Sequence, residues 1–193
     1  MLVALVVIIL DQITKFWTVY ESGNIPGVDL YTVVEGYFKF VDYRNTGAAW
    51  GMFSDYTRLL SMISLGAFIY FIYDFPNLTE KINFRRFSWA LLIGGVFGNF
   101  LDRFFRLEVV DMIQVNIPFP EFTHSLVGNF IRLSSDGKYF FPAFNIADSG
   151  ICVGVFLYLF HVIFFSKKKD SEKTGSLVEK ETAKPEEQST PSA

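Results

Sequence analysis

Gly94-Gly-Val-Phe-Gly-Asn-Phe-Leu-Asp-Arg-Phe-Phe-Arg-Leu-Glu-Val-Val-Asp111 decides how this chain folds. The stretch begins inside a hydrophobic run, which predicts a helix over most of its length. Yet it carries Asn99, Asp102, Arg103, Arg106, Glu108 and Asp111. Ionisable groups within an apolar span are costly and face a protein interior or a wet cavity. On a helix Asn99, Asp102 and Arg103 stand at i, i+3 and i+4 and share a face. Asp102 and Arg103 could pair there. Gly94 and Gly98 form a small-xxx-small pattern that lets a second helix come close.

The whole chain fits a membrane setting. It has 193 residues, of which 51% are hydrophobic and 18% aromatic, including 23 Phe. The apolar residues gather into long runs. The net charge of −3 says little, because much of the charge lies after Ser166. There is no basic stripe for a nucleic-acid partner. One cysteine, Cys152, and two histidines, His124 and His161, exclude an intramolecular disulfide framework and a multi-Cys/His zinc site. No metal or other cofactor is expected.

Four apolar spans follow in order: Leu2 to Tyr20, Thr57 to Tyr73, Phe87 to Phe105 and Ile146 to Phe165. The first lacks the basic start and small-residue cleavage site of a secretory leader, so it reads as an uncleaved helix. Asp11 and Lys15 lie at i, i+4 and can pair. Between the first two spans, Tyr37-Phe-Lys-Phe-Val-Asp-Tyr43 alternates with period two and predicts a short strand. Asn45 and Gly47 suit a tight turn just after it. Residues 106–145 read as a long connection. Residues 170–193 are polar and should be disordered. The expected organisation is a membrane domain over 1–169 and a tail over 170–193. The expected fold class is an all-α polytopic membrane protein with four transmembrane helices.

Lys and Arg set the orientation. The 74–86 loop carries Lys81, Arg85 and Arg86, and the fourth span is followed by Lys167, Lys168 and Lys169. The positive-inside rule puts that loop and both termini in the cytoplasm. Asp11, Asn45, the Asn99–Asp111 stretch, Asn145 and Asp148 then all fall toward the outer leaflet. Such agreement favours one shared site over unrelated structural pairs.

Carboxylates are the acid–base groups available there. Two close carboxylates cannot both ionise easily, so they share a proton. The ionised one can activate water while the neutral one donates to the substrate. Asp111 and Asp148, at the two ends of the outer connection, are the candidate pair for peptide hydrolysis.

Four stretches together resemble the lipoprotein signal peptidase (signal peptidase II) family. They are Asp11-Gln-Ile-Thr-Lys15, Arg44-Asn-Thr-Gly-Ala-Ala-Trp-Gly51, Gly94 to Arg103 with Val109-Val-Asp111, and Phe144-Asn-Ile-Ala-Asp148. The resemblance implies an aspartyl endopeptidase of the bacterial cytoplasmic (inner) membrane. Such an enzyme cleaves N-terminal to the diacylglyceryl cysteine of lipid-modified preproteins. It implies catalytic roles for Asp111 and Asp148. It implies supporting or substrate-binding roles for Asp11, Lys15, Asn45, Gly47, Asn99, Arg103 and Asn145; for Asp102 it leaves the role open. It also implies a small extracytoplasmic β-sheet region between helices 1 and 2, beside the membrane lipid. We expect a monomer. The 112–143 connection is longer than is usual in the family, and Met112 stands where Phe is common.

Other chemistries fit less well. A small proton-linked membrane transporter would also hold intramembrane carboxylates, but near the midplane. A Ser149/His161 peptidase fails on distance, since twelve residues of helix rise about 18 Å. A structural scaffold leaves the converging charges unexplained.

Overall fold

The computed structural model describes residues 1–47, 56–77, 83–116, 132–133 and 139–166. Within them lie four α-helices: α1 (Leu2–Glu21), α2 (Thr57–Asp74), α3 (Asn83–Phe105) and α4 (Ile146–His161). A 3-10 turn (Phe75–Asn77) extends α2, and a π turn (Val162–Ser166) extends α4. Strands β1 (Val28–Val34), β2 (Phe38–Asn45) and β3 (Val109–Val115) form an antiparallel sheet in that order. A two-residue pair, β4 (Arg132–Leu133) and β5 (Tyr139–Phe140), stands apart. The tail at 170–193 and most of the 112–143 connection lie outside the described residues.

The helices bury charged and polar groups while exposing many large apolar ones. Of α1, the buried residues are Ala4, Asp11, Lys15 and Thr18, while Leu5, Ile9, Ile13 and Phe16 are exposed. In water that arrangement would be unstable; facing hydrocarbon it is the expected one. The helices α2 and α4 likewise expose Leu59, Ile63, Ile69, Val153, Phe156 and Leu159. Leu2–Glu21 and Ile146–Phe164 are long and apolar enough to cross a membrane. The other two helices carry charge: Arg58 and Asp74 near the ends of α2, and Arg85, Arg86, Asp102 and Arg103 along α3.

Helix α3 is the hub, packing against α1, α2 and α4. Its glycines allow this. A Cβ on Gly95 would overlap Ala147 O of α4, and one on Gly98 would lie 2.6 Å from Asp11 Oδ2. The expected close approach at Gly94 and Gly98 is therefore made, by α1. Ala4, Ala90 and Ile93 form the apolar centre beneath it.

Gly94 to Asp111 is helical over most of its length, as expected, up to the predicted end of the third span. Helix α3 stops at Phe105, and Leu107 takes a left-handed conformation with φ of 62°. Such a residue terminates a helix and turns the chain. The β-branched run that follows, with Val109, Val110, Ile113 and Val115, becomes strand β3. It pairs with β2 so that Tyr43 faces Asp111 and Asn45 faces Val109. The sheet is thus not confined to the segment between α1 and α2; its third strand comes from after α3. The predicted strand over 37–43 is β2, shifted and extended to Asn45.

Two ties set the sheet on the helices. Trp17 of α1 stacks on Tyr31 with centroids 5.8 Å apart and meets Phe40 edge-on. Asp42, fully buried in β2, accepts from Ser22 Oγ and from Arg44, whose Nη1 reaches Glu108 at 2.8 Å. Beyond β3, Phe144 exchanges backbone hydrogen bonds with Ile113 at 2.9 and 3.0 Å. That bridge holds the start of α4 beside Asp111.

Candidate active site

Helix α4 begins with a reciprocal cap. Asn145 is extended, with φ of −126°, and its side chain accepts from Asp148 N at 2.9 Å. In return Asp148 Oδ2 accepts from Asn145 N at 3.2 Å. This capping box satisfies N–H groups that a helix start leaves without partners. It also fixes Asp148 at the positive end of the helix dipole, which favours a carboxylate.

Asn145 joins that carboxyl to the other. Its Nδ2 donates to Asp111 Oδ1 at 2.8 Å, to Asn99 Oδ1 at 3.2 Å and to Val110 O at 3.3 Å. Asn99 Nδ2 in turn donates to Asp148 Oδ1 at 2.7 Å. Asn45 Nδ2 stands 3.5 Å from Asp111 Oδ2, and its own Oδ1 accepts from Gly47 N at 3.0 Å. The turn expected at Asn45 and Gly47 is therefore formed by a side chain. Asp111, on β3, is 5% exposed. Burial pushes its carboxyl up to about 8; the charge of Asp148 adds to this, and Lys15, Asn145 and Asn45 oppose it.

A second network lies beside the first. Lys15 Nζ reaches Asp11 Oδ2 and Asp102 Oδ2, each at 2.8 Å, and donates to Asn99 Oδ1 at 3.0 Å. Lys15, Asp11 and Asp102 are all fully buried. Asp11 Oδ1 accepts from Ala147 N at 2.9 Å, which anchors the first turn of α4. Asp102 does not pair with Arg103, the pairing its neighbour offered. Its other oxygen holds Arg106, and its Oδ2 also accepts from Val110 N at 3.2 Å. The reason is angular: successive helical residues point about 100° apart, so Asp102 faces α1 while Arg103 does not. Arg103 donates to Gly47 O at 3.0 Å and feels the charges of Asp111 and Asp148 without an ion pair to either. Its Nε is buried and unpartnered among the described residues.

The structure thus gathers Asp11, Lys15, Asn45, Gly47, Asn99, Arg103, Asp111, Asn145 and Asp148 at one end of the helices. Two members escaped the sequence. Gln12 donates to Asp11 Oδ2 at 3.1 Å and to Gly98 O at 3.2 Å. Arg106 reaches Gln12 Oε1 at 3.4 Å as well as Asp102. The spacing of Asp102 and Arg106, i and i+4, was the available signal for the latter. Among the described residues no group of three or more His, Cys, Asp and Glu could hold a metal ion.

A profile of the family described as signal peptidase (SPase) II matches residues 3–164. This chain belongs to that family. It is therefore a hydrolase of the aspartyl peptidase kind, and the transporter alternative is not supported. The lipoprotein signal peptidase of Bacillus pumilus is 37% identical over 173 residues, covering 90% of this chain and 97% of that one. Those of Lactobacillus johnsonii and Bacillus subtilis are 35% and 33% identical, over 87% and 89% of this chain and 94% and 97% of theirs. Two solved bacterial membrane enzymes, obtained by the in meso method, share the fold. One has a TM-score of 0.65 at 30% identity, covering 86% of this chain and 92% of that one. The other has 0.64 at 28%, covering 98% and 93%. The chain is accordingly a bacterial membrane protein.

Proposed function

We infer that this enzyme removes signal peptides from lipid-modified prolipoproteins, cleaving N-terminal to the diacylglyceryl cysteine, with Asp111 and Asp148 as the catalytic pair. The observation that carries the assignment is Asn145, whose one residue touches both carboxyls.

The chemistry follows from the different surroundings of the two acids. Asp111 sits buried on a strand, where the neutral form is favoured. Asp148 sits at a helix N-terminus, where each of its oxygens accepts a hydrogen bond. Below about pH 8 Asp111 then holds the shared proton. Asp148 takes a proton from water as the oxygen attacks the scissile carbonyl, and Asp111 gives its proton to the carbonyl oxygen. In the second step Asp148 passes its proton to the leaving nitrogen as the C–N bond breaks, and Asp111 recovers one from the diol. Proton number is restored. Arg103 and Asn45, at the rim of the pair, are placed to hold the peptide backbone.

The same reading places four helices across the cytoplasmic membrane, with both termini inside. The sheet and the catalytic pair then lie at the outer face, as a monomer in contact with lipid. Residues 1–169 would form this domain, and 170–193 a cytoplasmic tail dispensable for cleavage. Activity should survive chelators. The outward-facing apolar helices give lipid a lateral route to the site. Each buried CH₂ contributes roughly 0.8 kcal/mol. Two acyl chains would therefore set the depth of the cysteine and lower the entropic cost of alignment.

The test is kcat/KM for matched peptides with and without the diacylglyceryl group, using purified enzyme in one detergent. The lipidated peptide should be much the better substrate. Equal values would leave only a general membrane aspartyl peptidase.

A further inference from the structure

Lys15 makes no hydrogen bond to Asp111 or Asp148, and neutralising Asp11 and Asp102 would use only two of its three N–H groups. The third goes to Asn99 Oδ1 at 3.0 Å. That contact has a directional consequence. An ammonium can only donate, so Asn99 must turn its oxygen toward Lys15. The same oxygen accepts from Asn145 Nδ2 at 3.2 Å. The amide nitrogen of Asn99 is then forced to the opposite side, where it meets Asp148 Oδ1 at 2.7 Å. A flipped amide would set an NH₂ group against the ammonium and against Asn145 Nδ2, and an oxygen against the carboxylate. All three contacts would be repulsive. Asn145 is fixed by similar logic. Its Oδ1 is taken by Asp148 N, so its nitrogen faces Asn99 and Asp111.

We propose that Lys15 is a positioning residue of the active site that acts through Asn99: its buried ammonium locks the Asn99 amide, which holds Asp148 and steers Asn145 onto Asp111. Neutralisation alone does not account for this arrangement: Arg106 balances Asp102 and Lys15 balances Asp11, which uses two of the ammonium's N–H groups, yet the third is given to Asn99. The proposal rests on Asp111 and Asp148 being the catalytic pair.

Removing Lys15 by itself would strand the buried Asp11 carboxylate, so the test removes that charge together with the ammonium. In Asp11→Asn the side-chain carbonyl can still accept from Ala147 N. Against that variant, Asp11→Asn/Lys15→Met keeps the network neutral but leaves Asn99 Oδ1 without its ammonium. The added Lys15→Met step should lower kcat about 10²-fold with KM little changed, as expected for misplacement of a reacting group. In an Asn99→Ala background the same step should cost almost nothing further, since the link is already cut. An unchanged kcat, a loss confined to KM, or an equal loss in both backgrounds would overturn the proposal. If the balanced double variant fails to fold, as judged by thermal unfolding in detergent, Asn99→Asp decides. It is nearly isosteric and keeps the contact with Lys15, but has no N–H for Asp148. It should lose about 10²-fold in kcat with KM little changed, and unaltered kcat would overturn the idea. Asp148→Asn separates the two levels. Turnover by that variant would refute the catalytic pair itself, whereas its inactivity beside an unaffected Lys15 variant would refute only the positioning role.

Discussion

Asp11 and Asp102 are fully buried and meet cations: Lys15 lies 2.8 Å from each, and Arg106 completes the second. Asp111 and Asp148 adjoin them through Asn99 and Asn145, yet among the described residues their hydrogen-bond partners are neutral amides and backbone N–H groups. The first pair is charge-balanced by two cations. In the second pair Asp111 has no cation in contact among the described residues, and burial, with the charge of Asp148 beside it, pushes its carboxyl up to about 8. The lesson is that buried acids alone do not mark chemistry; buried acids lacking paired cations do.

Breaking the second pair should have the largest effect. Asp111→Asn and Asp148→Asn should each lower kcat about 10³-fold or more, since under the proposed mechanism each removes one acid–base partner. Both should remain folded, as shown by an unaltered elution profile and thermal unfolding in detergent. In the parent enzyme kcat should fall as pH rises through about 8, where Asp111 loses its proton. The sign for stability follows. A raised carboxyl keeps its proton in the folded state while the unfolded chain releases one near the ordinary value of 3.8. Stability therefore declines as pH rises from about 4 to about 8. Asp111→Asn should flatten that decline in Tm, and an unchanged slope would show that Asp111 is not held neutral.

Breaking the first pair should damage folding more than chemistry. Asp102→Asn leaves Lys15 and Arg106 with an excess positive charge, a loss of about 3 kcal/mol in unfolding free energy. A stability change near zero would mean the balanced network is ornamental. Next in size is Gly95→Ala, which sharpens the comparison by disturbing the joint between α3 and α4. The added methyl overlaps Ala147 O, and overpacking of this kind costs about 1–3 kcal/mol. The smallest effect belongs to Lys39→Ala. Its ion pair with Asp29 at 2.8 Å is exposed, and exposed pairs contribute at most about 1 kcal/mol. Chemical unfolding in detergent should barely register the change.

What the sequence determined by itself was local. The Asp11–Lys15 pair, the Asn45–Gly47 turn and the place of Asn145 and Asp148 at a helix start depend on spacings of two to four residues. Backbone geometry alone sets those distances, as it sets the apolar spans and the β2 alternation. Family resemblance added which carboxylates belong together. Tertiary structure alone decided the rest. The sequence ended the third span at Phe105, but that the residues after Leu107 form a strand depends on β2, which supplies their hydrogen-bond partners. Arg103 was the nearest cation to Asp102 in sequence. Lys15 proved nearer in space, because Gly94 and Gly98 admit α1 closely enough for its ammonium to reach α3. Asn145 touches both Asp111 and Asp148 because Phe144 bridges Ile113. That contact spans a long loop, and no spacing rule encodes it.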